Sequence, residues 1–518
     1  MRLQRPRPAP SGFSADAAPA RPKLDTLGLL VDFGSTFTKV TAIDLSRAKV
    51  VGRAQARSTV DHDVCDGLIE ALAALHRSTG VFERRPENLD CLDGVFVRAC
   101  SSAAGGLRIV VVGNVPGLTV EAGNAAALGA GGKLVGAFGF RLQPDSVAAV
   151  VNAKPDLILL AGGTDGGDTH AILHNAHALA ASSITAPVIV AGNRAVAAKA
   201  RDILAASGHE VTLVDNVMPE AGQLSPEAAR EEIRRVFAEH ITRAKGLDRL
   251  KDRLPVVRPT PMAVYEAALL GARGRPGQPG LGDLLIVDVG GATTDVHSIG
   301  EGISQKSGMT VPTGLPEPFA KRTVEGDLGV RWNAPTILQR VGARGFLAQF
   351  HAIFADMAVN DRDILGYIEA VGARTETVPT QDWHFAIDAL LARNAVDLAV
   401  DRHAGRRTPF FAREGTVFLQ SGKDLSEIPI VIGTGGVFTY NPMAERIIAT
   451  CTVDVGEILR PRDPRIILDT HYVLYSIGLL FDTHPDVAMQ LFADHFGAGT
   501  LPPLQMGDSN VVLCECCG

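Results

Sequence analysis

No uninterrupted apolar run in this chain approaches the roughly 20 residues that a membrane-crossing helix needs, so a spanning protein is not expected. An excess of one charge is missing too. The 50 Lys and Arg against 57 Asp and Glu leave a formal net charge of −7. No stripe interleaves basic and aromatic residues, and both facts argue against nucleic acid as the partner. Cysteine is sparse, at seven in 518 residues without evenly spaced pairs, which reads as thiols of a reducing, cytoplasmic compartment rather than a disulfide framework. The opening stretch MRLQRPRPAPSGFSADAAPARPKL is rich in Arg, Pro and Ala but has no apolar core of the kind a secretory signal requires. Residues 1–24 are therefore expected to form a disordered tail.

Two stretches share one design: LLVDFGSTFTKVTAID, Leu29 to Asp44, and LLIVDVGGATTDVHSI, Leu284 to Ile299. Each is an apolar strand ending in Asp, then Gly and hydroxyl residues, then a second strand. Glycines let backbone N–H groups approach phosphate oxygens, Ser and Thr donate further hydrogen bonds, and a carboxylate at the strand end can hold hydrated Mg²⁺. Either hairpin alone could be an ordinary turn, whereas a matched pair suggests two halves closing on one nucleotide. A third element, IPIVIGTGGVFTYNPMAERIIA, reads as a strand from Ile428 to Ile432, a turn of Gly433, Thr434, Gly435 and Gly436, and a helix with Asn441 as N-cap and Pro442 at its first position. Such a turn lets a purine, a ribose or an α-phosphate lie against the backbone.

The order of these three elements resembles the actin, sugar kinase and Hsp70 ATPase superfamily. That resemblance implies an α/β fold of two ribonuclease H-like lobes with ATP and Mg²⁺ in the cleft between them. Length allows three or four units. The first lobe is expected over residues 25–270, with an inserted α/β region at about 89–220, where short strands such as Leu157 to Ala161, Val188 to Ala191 and Val211 to Val214 alternate with helical segments. SPEAAREEIRRVFAEHI has Ser225 as N-cap and Pro226 at the first helical position. The Gly- and Pro-rich run Gly271 to Asp283 reads as the linker, and residues 271–518 as the second lobe with the adenosine turn.

VDFGSTFTKVTAID, ILLAGGTDGGDTH, PVIVAGN, DNVMPEAGQLSPEAAREEI, VDVGGATTDVHSI and GLPEPFAKRTVEGDLGVRWNA are together similar to the glutamate mutase accessory proteins called GlmL or MutL, which are unrelated to the mismatch-repair protein of the second name. The resemblance runs from about Leu27 to the C-terminal region. It implies a chaperone-like ATPase that reactivates an adenosylcobalamin-dependent mutase, glutamate mutase or an aminomutase, by expelling damaged cobalamin, and it leaves self-association open. No Asp-x-His-x-x-Gly cobalamin motif occurs, so such a factor would handle the coenzyme through its client.

Resemblance and chemistry assign the same residues. Asp32 would contact Mg²⁺ through water, and Ser35, Thr36 and Thr38 with the backbone near Gly34 would hold phosphate oxygens. Asp288 would orient the attacking water or the metal, while Gly290, Gly291, Thr293 and Thr294 would meet the β and γ phosphates. Asp295 either braces the loop or touches nucleotide, and Lys39 falls outside the catalytic set. TVEGDLGVRW, Thr323 to Trp332, is either a cleft surface or a turn with a packed Trp.

Other features attract plainer readings. AGGTDGGD, Ala161 to Asp168, has neither a Walker Lys nor a full GxGxxG and reads as a structural or partner-recognition turn. His170, His174 and His177 lack a completing HExxH pattern, and the Cys514 to Cys517 run lacks metal-ligand spacing. Three rivals stand beside the reactivase: an actin-like ATP-binding scaffold, a kinase of a small metabolite, and the ATP-driven activator of 2-hydroxyacyl-CoA dehydratases. The last needs cluster-forming cysteines, and Cys65, Cys91, Cys100 and Cys451 show no such spacing.

Overall fold

One strand order occurs twice in the computed structural model, which describes residues 24–59, 63–102, 107–241, 250, 253–254, 257–302, 310–412, 415–453 and 455–497. The N-terminal tail and the Cys514 to Cys517 run lie outside the described residues. The first sheet begins with β1 (Leu27–Phe33), β2 (Phe37–Asp44), β3 (Lys49–Arg57) and β4 (Phe96–Ser101). The chain then builds a separate sheet from β5 (Arg108–Val112), β6 (Lys133–Phe138), β7 (Leu157–Leu160), β8 (Val188–Val190) and β9 (Val211–Leu213), and returns with β10 (Val257–Pro259). The order of the first sheet is β3-β2-β1-β4-β10, with an antiparallel meander of three strands and two strands parallel to β1.

A short hairpin, β11 (Gly274–Arg275) and β12 (Gln278–Pro279), precedes the second lobe. That lobe holds β13 (Leu284–Val289), β14 (Thr294–Ile299), β15 (Thr310–Thr313), β16 (Ala320–Glu325), β17 (Arg406–Ala412), β18 (Gly415–Ser421), β19 (Ile430–Thr434) and β20 (Arg465–Leu468). Its main sheet runs β16-β14-β13-β19-β20, again an antiparallel meander flanked by two strands parallel to the first. Strands β15, β18 and β17 make a small side sheet. The duplicated order is that of two ribonuclease H-like lobes, and the α/β class expected from sequence is the class observed.

Central strands β1 and β13 are apolar along nearly their whole length because both of their faces are covered. Leu29 and Val31 pack into the first lobe's own core, and Leu285 and Val287 into the second lobe's. The alternate residues Leu30, Leu284 and Ile286 face a third core between the two sheets. Helices Thr260–Arg273, Leu474–Leu480 and Pro485–Phe496 fill it. The linker expected from Gly271 onward is thus partly helix, and the expected boundary at 270 falls inside it. Gly271 lies inside that helix, where the Phe492 ring occupies the space a side chain would need and only glycine fits.

The inserted sheet is wholly parallel in the order β6-β5-β7-β8-β9. This doubly wound arrangement reverses direction between β5 and β7. Its strands span 108–213, inside the expected 89–220, and β4 belongs instead to the first lobe. Helix Glu227–Ile241 follows, starting two residues after its expected cap. Among the described residues no helix is long and apolar enough to cross a membrane.

Candidate functional site

The two hairpins expected to hold phosphate close in the same way. In the first, Gly34 N–H donates to the Phe37 carbonyl at 3.1 Å, and in the second Gly290 N–H donates to that of Thr293 at 2.9 Å. Strand register pairs Asp32 with Lys39 and Phe33 with Thr38; the corresponding pairs are Asp288 with Asp295 and Val289 with Thr294. A Cβ at Gly34 would stand 2.6 Å from the Phe37 carbonyl oxygen, so the tight turn requires glycine there. The two tips face each other, since a Cβ at Gly291 would lie 3.1 Å from the Thr36 hydroxyl. That hydroxyl is buried and has no hydrogen-bond partner among the described residues. A buried polar atom left unsatisfied points to a missing partner. Between the tips lies a cavity of about 430 Å³, within the range of small-molecule sites.

The strand-end acids differ sharply. Asp32 is only 1 % exposed, with Lys39 Nζ at 2.9 Å and the Thr260 hydroxyl donating at 2.7 Å, while the Tyr472 hydroxyl is 3.4 Å away. Lys39 also sits over the Tyr472 ring, 4.0 Å from its centroid. Both oxygens of Asp32 are thus occupied, and Lys39 rather than Asp32 reaches the cavity wall. This departs from the sequence expectation, in which Asp32 held metal and Lys39 stood aside. Asp288 lines the cavity and receives no side-chain hydrogen bond from any described residue. Burial, reinforced by the carboxylates of Asp295, Asp32 and Asp469 and opposed by Lys39, pushes its carboxyl up to about 7. Asp295 is held by Arg322 at 2.6 Å and by the Thr293 hydroxyl at 2.9 Å, in a pair almost sealed from water.

The glycine turn forms the far wall. Gly435, at φ 113°, brings the backbone so close that a Cβ would stand 3.1 Å from Asp288 Oδ1. Gly435 and Gly436 line the cavity, as do the apolar residues Val378, Pro379 and Phe385. The chain enters helix Gly436–Tyr440 directly after the turn. The helix expected after Asn441 is the short Ala444–Ile448, and Asn441 Oδ1 accepts from Met443 N–H at 2.9 Å instead of capping its first turn. Strand β19 runs two residues past its expected end, so Gly433 and Thr434 belong to it rather than to the turn.

Of the residues singled out by sequence, Gly34, Ser35, Thr36, Asp288, Gly290, Gly291, Thr293, Gly435 and Gly436 meet at the cavity. Five lie behind it. Asp32 is clamped as described, and Thr38 pairs with the Ser58 hydroxyl at 3.1 Å. Thr294 donates to the Leu328 carbonyl at 2.7 Å, and Thr434 to Asp469 at 2.9 Å. Gly433 packs against Phe438 and Leu468. What sequence reasoning missed is the set of cations: Lys39, Arg53, Lys133, Arg322 and Arg331 all line the cavity. Lys39 was legible in principle, because the strand alternation that aims Asp32 also aims its cross-strand partner. Arg331 lies in the Thr323 to Trp332 segment and is held by Asp388 at 2.6 Å. Its neighbours buttress the second hairpin, with Val330 N–H on the Gly290 carbonyl at 3.1 Å and Arg331 N–H on that of Gly291 at 3.0 Å. Trp332 is 56 % exposed rather than packed.

The Ala161 to Asp168 turn is stitched by asparagines from neighbouring strand ends. Asn193 donates to the Asp168 carbonyl at 3.1 Å, Asn216 to that of Gly163 at 3.0 Å, and Asn114 to the Asp168 carboxylate at 3.0 Å. Among the described residues no group of three or more His, Cys, Asp or Glu is placed to hold a metal ion.

A family model described as MutL protein matches residues 28–496 of this chain. The protein named MutL from Clostridium tetanomorphum is 37 % identical over 468 residues, covering 89 % of this chain and 97 % of that one. The solved activator of the 2-hydroxyisocaproyl-CoA dehydratase from Clostridium difficile, with bound ADPNP, aligns over 90 % of this chain and 95 % of its own at 10 % identity and a TM-score of 0.30. The ethanolamine utilization protein EutJ from Carboxydothermus hydrogenoformans aligns over 92 % and 91 % at 10 % identity and a TM-score of 0.25. Likenesses at these scores carry no argument about activity.

Proposed function

From the premise that this chain belongs to the MutL protein family, we propose that it is an ATP-dependent, chaperone-like reactivating factor for an adenosylcobalamin-dependent mutase such as glutamate mutase. The observation that carries the nucleotide part is the pair of like hairpins meeting across one cavity, with the unpartnered Thr36 hydroxyl between their tips. The client is proposed from the family resemblance.

In this reading the phosphates lie between the two hairpin tips, with backbone N–H groups near Gly34 and Gly291 and the hydroxyls of Ser35, Thr36 and Thr293 donating to their oxygens. Lys39 and Arg331 supply positive charge at the cavity wall. Adenosine lies against Gly435 and Gly436, its base on the apolar side made by Val378 and Phe385. Asp288, whose oxygens are free of hydrogen bonds from the described side chains, is the residue we assign to hold hydrated Mg²⁺ and to orient the attacking water. Mg²⁺, when bound, supplies neutralisation of the phosphate charge. Asp32 acts one step back, fixing Lys39.

The test is Mg²⁺-dependent ATP hydrolysis by the wild type and by Asp288→Asn, with nucleotide binding measured on both. Hydrolysis that collapses in a variant still able to bind supports the assignment. Wild-type protein that neither binds nor hydrolyses ATP, even with inactivated cobalamin mutases present, refutes it. The client is tested by recovery of activity in a mutase loaded with damaged cobalamin, which should require this protein, ATP and fresh coenzyme together.

A further inference from the structure

The inserted domain reaches the cavity at Gly131, Gly132 and Lys133, and the Arg322 side chain of the second lobe crosses to it there. Arg322 lies on β16 of the second lobe and is 6 % exposed. One edge of its guanidinium holds Asp295, through Nη2 at 2.6 Å and Nε at 3.1 Å. Its Nη1 crosses to the other lobe and donates to the Leu128 carbonyl at 2.8 Å and to that of Gly132 at 3.4 Å. Leu128 is in the last turn of helix Glu121–Gly129, where a cation is favoured, and its carbonyl also accepts from Gly131 N–H at 3.0 Å. Arg322 therefore caps a helix of the insertion from across the cleft, while Asp295 joins it to Thr293 at the tip of the second hairpin.

That helix continues the turn Pro116–Val120 without a break. Together they form a rod about 20 Å long at 1.5 Å per residue. Its far end is fixed as firmly as the near one. The Thr119 hydroxyl accepts from Asn114 N–H at 2.8 Å and from Val115 N–H at 2.9 Å, at the end of β5. The Asn114 carbonyl in turn holds Phe140 N–H at 2.9 Å. Phe140 has a positive φ of 64° and is 63 % exposed, a conformation that persists only where its surroundings impose it.

We propose that Arg322 is a positioning residue that couples the nucleotide state of the cleft to the inserted domain, through the Asp295 pair on one side and the C-terminal carbonyls of helix Glu121–Gly129 on the other. This rests on the ATP-binding reading above. A polyphosphate at the second hairpin competes for the Thr293 hydroxyl and for the guanidinium. A hydrogen bond that Nη1 redirects toward phosphate is lost at Leu128 or Gly132, so the rod is then held differently in the filled and empty states. A nucleotide shifts a conformation only through such a differential contact.

The test is hydrogen exchange of the full chain with Mg²⁺, with and without a non-hydrolysable ATP analogue, alongside calorimetric binding of the analogue. In the wild type, exchange should change at the second hairpin, residues 284–299, and also across residues 108–141. Typical allosteric couplings put the change in the latter region at about five- to a hundredfold. Arg322→Met should keep the change at the hairpin and lose it across 108–141. Arg322→Lys should lose it as well, because a single ammonium has no planar fork to span both partners. The lysine variant guards against misfolding of the methionine one, and melting curves monitor both. A wild type that binds the analogue and protects 284–299 with no change in 108–141 overturns the coupling and leaves the ATP reading intact. Transmission that persists in a folded Arg322 variant overturns it equally. A wild type that binds no analogue overturns both.

Discussion

Replacing Gly478 by alanine tests how the lobes are joined. Helices Thr260–Arg273 and Leu474–Leu480 cross in the core between the two sheets. At the crossing, a Cβ on Gly478 would lie 2.5 Å from the carbonyl carbon of Ala263 and 2.8 Å from its Cα. The nearest obstacle is the Ala263 carbonyl oxygen, backbone in the middle of a helix, so no rotamer change relieves it and the helices must part by about 1.5 Å to reach ordinary van der Waals distance. Overpacking of this kind costs about 3 kcal/mol at the upper end of its usual range. Alanine returns about 1 kcal/mol through helix propensity. The expected net loss is about 2 kcal/mol, or roughly 4–8 °C in melting temperature for a cooperative unit of lobe size. Gly366→Ala is the matched control, since it sits in helix Asp361–Ala373 with nothing within 4 Å of the new Cβ. It should gain about 1 kcal/mol from propensity alone. Thermal and urea unfolding of both variants decide the matter. A Gly478→Ala protein as stable as the wild type, or two variants shifting in the same direction, refutes the close crossing.

Three further outcomes follow from the cleft. In metal-free protein with chelator, Asp288 keeps a proton up to about pH 7 that the unfolded chain releases near 3.8. Stability should therefore fall as pH rises from 4 to 7, by at most about 4 kcal/mol at 1.4 kcal/mol per unit. Asp288→Asn should remove that part of the slope, and unchanged urea midpoints at pH 5 and pH 8 relative to wild type would contradict it. Lys39→Met leaves the Asp32 carboxylate buried without its cation, which should cost about 3 kcal/mol in chemical denaturation and weaken nucleotide binding. Thr434→Val removes a hydroxyl bonded to Asp469, so it should cost about 1 kcal/mol of stability and leave nucleotide affinity unchanged. Loss of affinity measured by calorimetry would return Thr434 to the binding surface.

The parts of this site that were legible in sequence are those whose chemistry is local. A hairpin that ends a strand in Asp and turns on Gly34 or Gly290 carries its geometry in five consecutive residues, and so does the Gly435 turn. Their glycines mark where backbone must come close. What alternates along a strand was harder to place. Thr38 and Thr294 are one residue beyond the turn, and each points behind the cavity to Ser58 and the Leu328 carbonyl. A hydroxyl next to a phosphate-type turn thus reads the same in sequence whether it faces the ligand or the core. Lys133, Arg322 and Arg331 were not legible, because each reaches the cavity from a separate element brought there by tertiary packing. Element boundaries also moved where packing overrode composition. Gly271 and Arg273 look like linker, yet both are helical: the Phe492 ring leaves room for glycine alone at the first, and Arg273 ends the helix. The parallel character of the inserted sheet was legible from strands alternating with helices, whereas its strand order depends on which strands neighbour one another, which alternation along each strand does not encode.

The two hairpins are duplicates in backbone and opposites in charge. At the strand position where the first has Asp32 facing Lys39, the second has Asp288 facing Asp295. The first pair neutralises itself, which makes a stable, closed cradle. The second places two carboxylates across from each other, an arrangement that destabilises a sheet unless something offsets it. Arg322 offsets one of them from the next strand, and Asp288 is left facing the cavity with its carboxyl raised to about 7. A local rule is broken at the one acid of the four-residue set that no side chain of the described residues satisfies. Such violations belong where a ligand or a reaction supplies the missing partner. In the function proposed above, the asymmetry divides the work between the lobes: the first hairpin holds, and the second responds. It also ties the response to Arg322, the group that offsets Asp295 and reaches across to the inserted domain.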